Sequence, residues 1–341
     1  MPPGALNNVW FVLIGLLWIG YFFLEGFDFG VGILLPFLGR TDGARRILIS
    51  TIGPFWDGNE VWLIVAGGAT FAAFPNWYAT LFSGFYPALL LILLALICRA
   101  VAFEFRDRER SLRWRQWWDR ALFFGSALPA LLWGIAFSDM LHGVPIGASG
   151  DYVGGLLDLV QPYALLGGLT LLLLVTLHGA AFLTLKTADE IRQRAHVAAQ
   201  LLWPFTVAAV FVFLAWSYVN ALGVQGEGVV PGIVPIAALG SILAAGWLVR
   251  ERLDGWAFAA TGASIVLLTA TIFLNLYPRV MVSSLNPRFD LTIYNAASGP
   301  YSLTVMSIVA VIFLPLVLLY QGWTYWIFRG RVERASLGEG Y

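Results

Sequence analysis

The chain has 341 residues, 59% of them hydrophobic and 12% charged, with 20 Lys+Arg against 20 Asp+Glu. A mean hydropathy of +0.78 with so little charge excludes a soluble domain, whose surface needs roughly a quarter of all residues charged. Zero net charge, with no basic block outside short connections, gives no footing for a nucleic acid, and recurrent apolar runs of about 18 residues or more exclude an outer-membrane barrel in favour of an all-α integral membrane protein.

In chain order, nine transmembrane helices are predicted at 10–38, 47–74, 78–103, 121–141, 160–185, 199–222, 231–249, 256–277 and 303–328. The first run has no basic segment before it and no small-residue cleavage site after it, so it reads as a retained helix. Residues 104–120 mix charge with Trp114, Trp117 and Trp118, the pattern of a short helix lying at headgroup level. The connections 142–159, 223–232 and 278–302 are the opposite, arginine-poor set. Counted over alternate connections, seventeen Lys and Arg fall on one side and only Arg279 and Arg288 on the other, with Arg99 inside the third span. Basic residues are retained in the cytoplasm, so the N-terminus is expected outside and the C-terminus inside.

The first and fifth spans match at an offset of 153 residues: Leu24-Glu25-Gly26-x-x-Phe29 falls on Leu177-His178-Gly179-x-x-Phe182, and Gly15 falls on Gly168. That predicts a single membrane domain (1–341) built as two four-helix units, 8–141 and 160–277, with a ninth helix at 303–328.

Four acids stand inside the first two spans, Glu25 and Asp28, then Asp57 and Glu60. Each costs roughly 2.5–3.5 kcal/mol to insert, so function is the default explanation. A spacing of three puts each pair on one side of its helix. An antiparallel pairing centred between Asp42 and Gly43 sets Asp28 level with Asp57 and Glu25 level with Glu60, the aspartates about 15 Å in from the helix ends. Gly26 and Gly30 permit close helix approach, while Pro54 strips the Ser50 carbonyl of its donor and should kink the second span. Full ionisation of four buried acids is excluded by its cost, so shared protons and coupled titration are expected, the behaviour of a proton relay. Asn59 and Trp62 point away from the Asp57–Glu60 face and read as packing and capping residues.

Arg99 and His178 are the intramembrane cations, and polar contacts are expected of both. Of His142, His178 and His196 only His178 lies in a span, too few ligands for a multi-haem core. No catalytic residue, bound cofactor or metal site is expected in this chain. Cys98, the sole cysteine, forms no internal disulfide and reads as a small buried residue.

The segments EGFDFGVG (25–32), PFWDGNEVWL (54–63), GGATFAAFP (67–75), RWRQWWD (113–119), and SLTVM, IFLP and YW within 302–326 resemble subunit II of cytochrome bd-type quinol oxidases from end to end. The resemblance implies a heterodimer with a haem-bearing nine-helix subunit I that holds two haems b and one haem d, oxidises quinol and reduces dioxygen to water with cytoplasmic protons. It also implies a subunit II without haem ligands, in the bacterial plasma membrane. The family's uptake route points to Asp57; Asp28 is a neighbouring motif acid, and Glu60 stands where some members have an amide. The bias of nineteen arginines to one lysine hints at a GC-rich genome and, through it, at menaquinol. An additional small single-helix subunit, and lipid or quinone held by this chain, stay open. The residues alone also fit a proton- or cation-coupled secondary transporter or a purely structural scaffold.

Overall fold

The structure, a computed structural model, describes residues 4–225 and 232–332. Its helices are α1 (Ala5–Leu38), α2 (Asp42–Ile52), α3 (Trp56–Ala73), α4 (Pro75–Gly84), α5 (Tyr86–Phe105), α6 (Leu112–His142), α7 (Pro162–Lys186), α8 (Asp189–Gln225), α9 (Ile233–Arg250), α10 (Asp254–Leu276) and α11 (Pro300–Ile327). Among the described residues eight helices, α1 and α5 to α11, are long and apolar enough to cross a membrane. Most of the 223–232 connection lies outside the described residues.

The sequence reading needs correction in four places. The second predicted span is two helices rather than one kinked helix. Pro54 has no N–H to return to Ser50, and Phe55 N turns instead to the Ile52 carbonyl at 2.9 Å, a tighter turn that separates α2 from α3. The third span is likewise interrupted, at Phe85, because Pro87 lies in the first turn of α5 and returns no N–H to Ser83. Residues 104–120 are not a separate surface helix: a single 3₁₀ turn spans Arg106–Arg108, and α6 then runs unbroken from Leu112. Neither Gly nor Pro stands between Leu112 and Phe124, so helix once nucleated propagates into the span. Cys98 is exposed. It shares a face of α5 with the exposed Leu91, Leu94 and Val101, a placement with little cost where the surroundings are as apolar as the core.

α1 and α7 form the centre, with α3, α6 and α10 packed on α1. The two central helices touch backbone to backbone: a Cβ at Gly30 would stand 2.1 Å from the Val175 carbonyl oxygen, and one at Gly179 would meet Gly30 at 2.5 Å. Only glycine fits such a crossing. α11 lies on the outside of the bundle, with Leu303 its buried residue. Between α10 and α11 a two-stranded antiparallel ribbon pairs β1 (Arg279–Met281) with β2 (Leu291–Thr292), and Asp290 ties it by accepting from Ser283 N at 2.8 Å.

The arginine-rich end is held by interlocked ion pairs. Asp42 accepts from Arg106 (2.8 Å) and Arg115 (2.7 Å), and Asp119 accepts from Arg45 and Arg106, both at 2.7 Å. These bonds join the start of α2 to the α5–α6 connection. Burial would raise the Asp42 carboxyl, but the Arg106 hydrogen bond and charge, with Arg115 and Arg46, hold it below the ordinary carboxylate range. A depressed acid contributes stability above its unfolded pKa of about 3.9 and loses it as pH falls through the lower folded value. The thermal midpoint of the detergent-solubilised protein should therefore drop more steeply below about pH 4 than that of Asp42→Asn; parallel curves would remove Asp42 from the clamp.

Candidate functional site

The unusual chemistry of the chain collects beside the α2–α3 break, where α1, α3, α5 and α11 meet. Arg99 of α5 is fully buried and donates through one nitrogen, Nη1, to Glu25 Oε1 of α1 and to Glu60 Oε1 of α3, the latter at 2.8 Å. Its guanidinium lies over the Phe29 ring, 4.9 Å from the centroid, and 5.6 Å from that of Phe103, which adds cation–π attraction. Gly125 of α6 makes room for it, since a Cβ there would come within 2.6 Å of Arg99 Cβ. Glu25 and Asp28 are fully buried, whereas the Glu60 side chain is 19% exposed.

Asp28 has a different partner. Its Oδ2 accepts from Asn59 Nδ2 at 2.6 Å, and the same nitrogen lies 3.2 Å from the Leu24 carbonyl. The Asn59 oxygen accepts from Gln321 Nε2 at 3.0 Å and from the Tyr325 hydroxyl at 2.9 Å, both on α11. Glu25 Oε2, Asp28 Oδ1, Arg99 Nε and Arg99 Nη2 are buried without a hydrogen bond among the described residues, a set of donors and acceptors suited to a short water chain.

The expected match of Glu25 with Glu60 is visible in their shared guanidinium. Asp28 is met by Asn59, so assigning that amide to packing and capping was wrong. The spacing of three keeps Asp57 beside Glu60, and Asn59, two positions on from Asp57, faces the buried side of α3. Asp57 is exposed, on the face of α3 that also exposes Val61 and Ile64, though it remains in Coulombic range of Glu60. Gln321 and Tyr325 were missed; two polar groups four apart in an otherwise apolar helix were the available signal.

His178 sits apart from the acids. Its Nδ1 is 2.8 Å from Thr261 Oγ1 and its ring stacks on Phe258 at 4.4 Å, so it makes the polar contact expected of it. Among the described residues no three His, Cys, Asp or Glu side chains are grouped to hold a metal. A groove of about 520 Å³ opens between α1, α3, α4, α5 and α6, walled by Trp18, Trp77, Tyr78, Trp133, Phe137 and Met140.

Fold and site thus define a multi-pass helical membrane protein with a buried, ion-paired acid cluster. Residues 6–328 match the family described as cytochrome bd terminal oxidase subunit II, and the chain belongs to that family. It is 46% identical over 331 residues to cytochrome bd ubiquinol oxidase subunit 2 of Bacillus subtilis, covering 96% of this chain and 97% of that protein. It is 36% identical over 366 residues to the bd-I subunit 2 of Escherichia coli K12, covering 98% and 97%. The bd oxidase structure from Geobacillus thermodenitrificans shares its fold, with a TM-score of 0.69 at 20% identity over 95% of this chain and 99% of the other.

Proposed function

We propose that this chain is the haem-free subunit II of a quinol:dioxygen oxidoreductase, stabilising a haem-bearing subunit I and supplying it with protons from the cytoplasm. The two haems b, the haem d and the quinol site, with menaquinol as the quinol, belong to subunit I; this chain ligates no cofactor. The complex sits in the bacterial plasma membrane, with the N-terminus of this chain outside and the arginine-rich end in the cytoplasm. Nine crossings follow if α2 and α3 together make the second. Two units of like direction are supported by a reciprocal contact: Gly15 of the first packs on Phe273 of α10, and Gly168 of the second packs on Leu131 and Ile135 of α6. A lipid or quinone chain is the fitting occupant of the apolar groove.

The observation that carries the proton role is charge balance. One guanidinium faces Glu25, Glu60 and Asp28, so a neutral cluster holds two protons among three carboxyls, and moving one to the next carboxyl requires no new charge in the membrane. Asp57, exposed beside the α2–α3 break, is the entry group. Glu60, partly exposed, follows, and Glu25 and Asp28 hold protons inside. Substituting Asp57→Asn should slow quinol-driven oxygen consumption by about 10²-fold, the contribution of a positioned acid–base group, at unchanged haem content per complex. Wild-type turnover in a fully assembled variant would remove Asp57 from the route.

A further inference from the structure

Asn59 is oriented by its surroundings. The Leu24 carbonyl can only accept a hydrogen bond, so the amide nitrogen 3.2 Å away faces it, and that nitrogen is also the one at 2.6 Å from Asp28. The amide oxygen therefore faces α11, where two donors converge on it, Gln321 Nε2 at 3.0 Å and the Tyr325 hydroxyl at 2.9 Å. A half-turn of the amide would set its oxygen against the Leu24 carbonyl, which can only accept, and its NH2 against the NH2 of Gln321. In a fully buried side chain neither mismatch can be relieved by solvent.

α11 makes few other contacts with the bundle. At one end Trp10 Nε1 donates to the Leu303 carbonyl at 3.2 Å and to Ser307 Oγ at 3.1 Å. At the other Lys186, the only lysine of the chain, donates to the carbonyls of Phe328 and Gly330 while its ammonium lies 5.0 Å from the Phe55 ring centroid. Phe55 stacks in turn on Tyr325, with centroids 4.6 Å apart and planes 14° off parallel. The end of α11 is thereby latched, and the Tyr325 ring is held where its hydroxyl meets Asn59.

We propose that α11 is the positioning element of the acid cluster: Gln321 and Tyr325 lock the Asn59 amide so that its N–H is aimed at Asp28, and the docking of α11 governs how readily Asp28 exchanges its proton. This rests on Asp28 being a proton-path group. Neither Gln321 nor Tyr325 touches Asp28 in a hydrogen bond; both act through Asn59.

The test uses the purified, haem-loaded complex in three forms: wild type, Asp28→Asn, and Tyr325→Phe with Gln321→Leu. Redox-induced infrared difference spectra identify the Asp28 carboxyl C=O stretch as the band that Asp28→Asn abolishes. In the double variant that band should move to higher wavenumber, because a carbonyl that loses a donor stiffens, and proton uptake should slow by about tenfold, the equivalent of one lost hydrogen bond to a buried group. An unmoved band with uptake at the wild-type rate overturns the positioning role. If Asp28→Asn itself changes neither band nor uptake, it is the proton-path reading of Asp28 that has failed, and the positioning proposal falls with it. Should the double variant lose haem, Tyr325→Phe alone, which removes one hydroxyl, should give the same band shift with uptake slowed about threefold; an unmoved band there is equally contrary.

Discussion

Arg99→Met should abolish accumulation of the assembled protein. The substitution leaves the Glu25 and Glu60 carboxyls converging on one point, Glu25 fully buried, with no cation between them. Removing one partner of a buried ion pair typically costs about 3–5 kcal/mol, a large fraction of the roughly 5–15 kcal/mol by which domains are stable. The Phe29 and Phe103 rings that flank the guanidinium would keep their packing against methionine, so the loss is electrostatic rather than steric. That distinction is measurable. Adding Glu25→Gln and Glu60→Gln to Arg99→Met removes the carboxyls left without their cation and should restore much of the thermal stability, though not proton transfer. If Arg99→Met alone accumulates and melts like the wild type, Arg99 does not balance the cluster.

The central crossing gives the second large effect. At Gly30 the atoms a Cβ would strike are the Val175 carbonyl oxygen at 2.1 Å and the Gly179 backbone at 2.7 Å. Both belong to backbone, which has no rotamer by which to give way, so α1 and α7 must separate along their length. Overpacking of this kind costs about 3 kcal/mol or more. Gly30→Ala should therefore lower the thermal midpoint sharply and reduce haem-loaded complex, and Gly179→Ala should do the same. Gly240→Ala, on α9 with nothing within 4 Å of the added carbon, is the control and should stay within about 0.5 kcal/mol. Equal midpoints for Gly30→Ala and Gly240→Ala would mean that the helices are not in backbone contact.

Much of this architecture was legible because membrane insertion sorts residues coarsely. Apolar length located the helices, and the cost of intramembrane acids marked Glu25, Asp28, Asp57 and Glu60 before any fold was known. Spacing within a helix gave their faces, and the hairpin geometry brought Glu25 and Glu60 level. Other features depend on helices remote in sequence. Asn59 looked like a packing residue because its partners, Leu24, Asp28, Gln321 and Tyr325, come from two other helices, one of them more than 260 positions away. Arg99 reads from the sequence as an intramembrane cation near the basic end of its span and not as the partner of Glu25 and Glu60, because that pairing depends on how α5 packs against α1, α3 and Gly125 of α6. At 53–55 the sequence predicts only a bend; proline removes a donor, but whether the chain bends or stops depends on the tight Phe55 to Ile52 turn that follows.

On the function proposed above, protons reach the oxygen-reducing partner through the carboxyls of this chain. The most direct measurement is the rate of proton uptake, followed with a pH indicator on the cytoplasmic side, when the fully reduced complex is mixed with dioxygen. With haem content matched, Asp28→Asn should slow that uptake by about 10²-fold while leaving dioxygen binding to the reduced complex at its wild-type rate. Uptake at the wild-type rate in fully assembled Asp28→Asn, and likewise in Asp57→Asn, would leave the cluster as structural support alone.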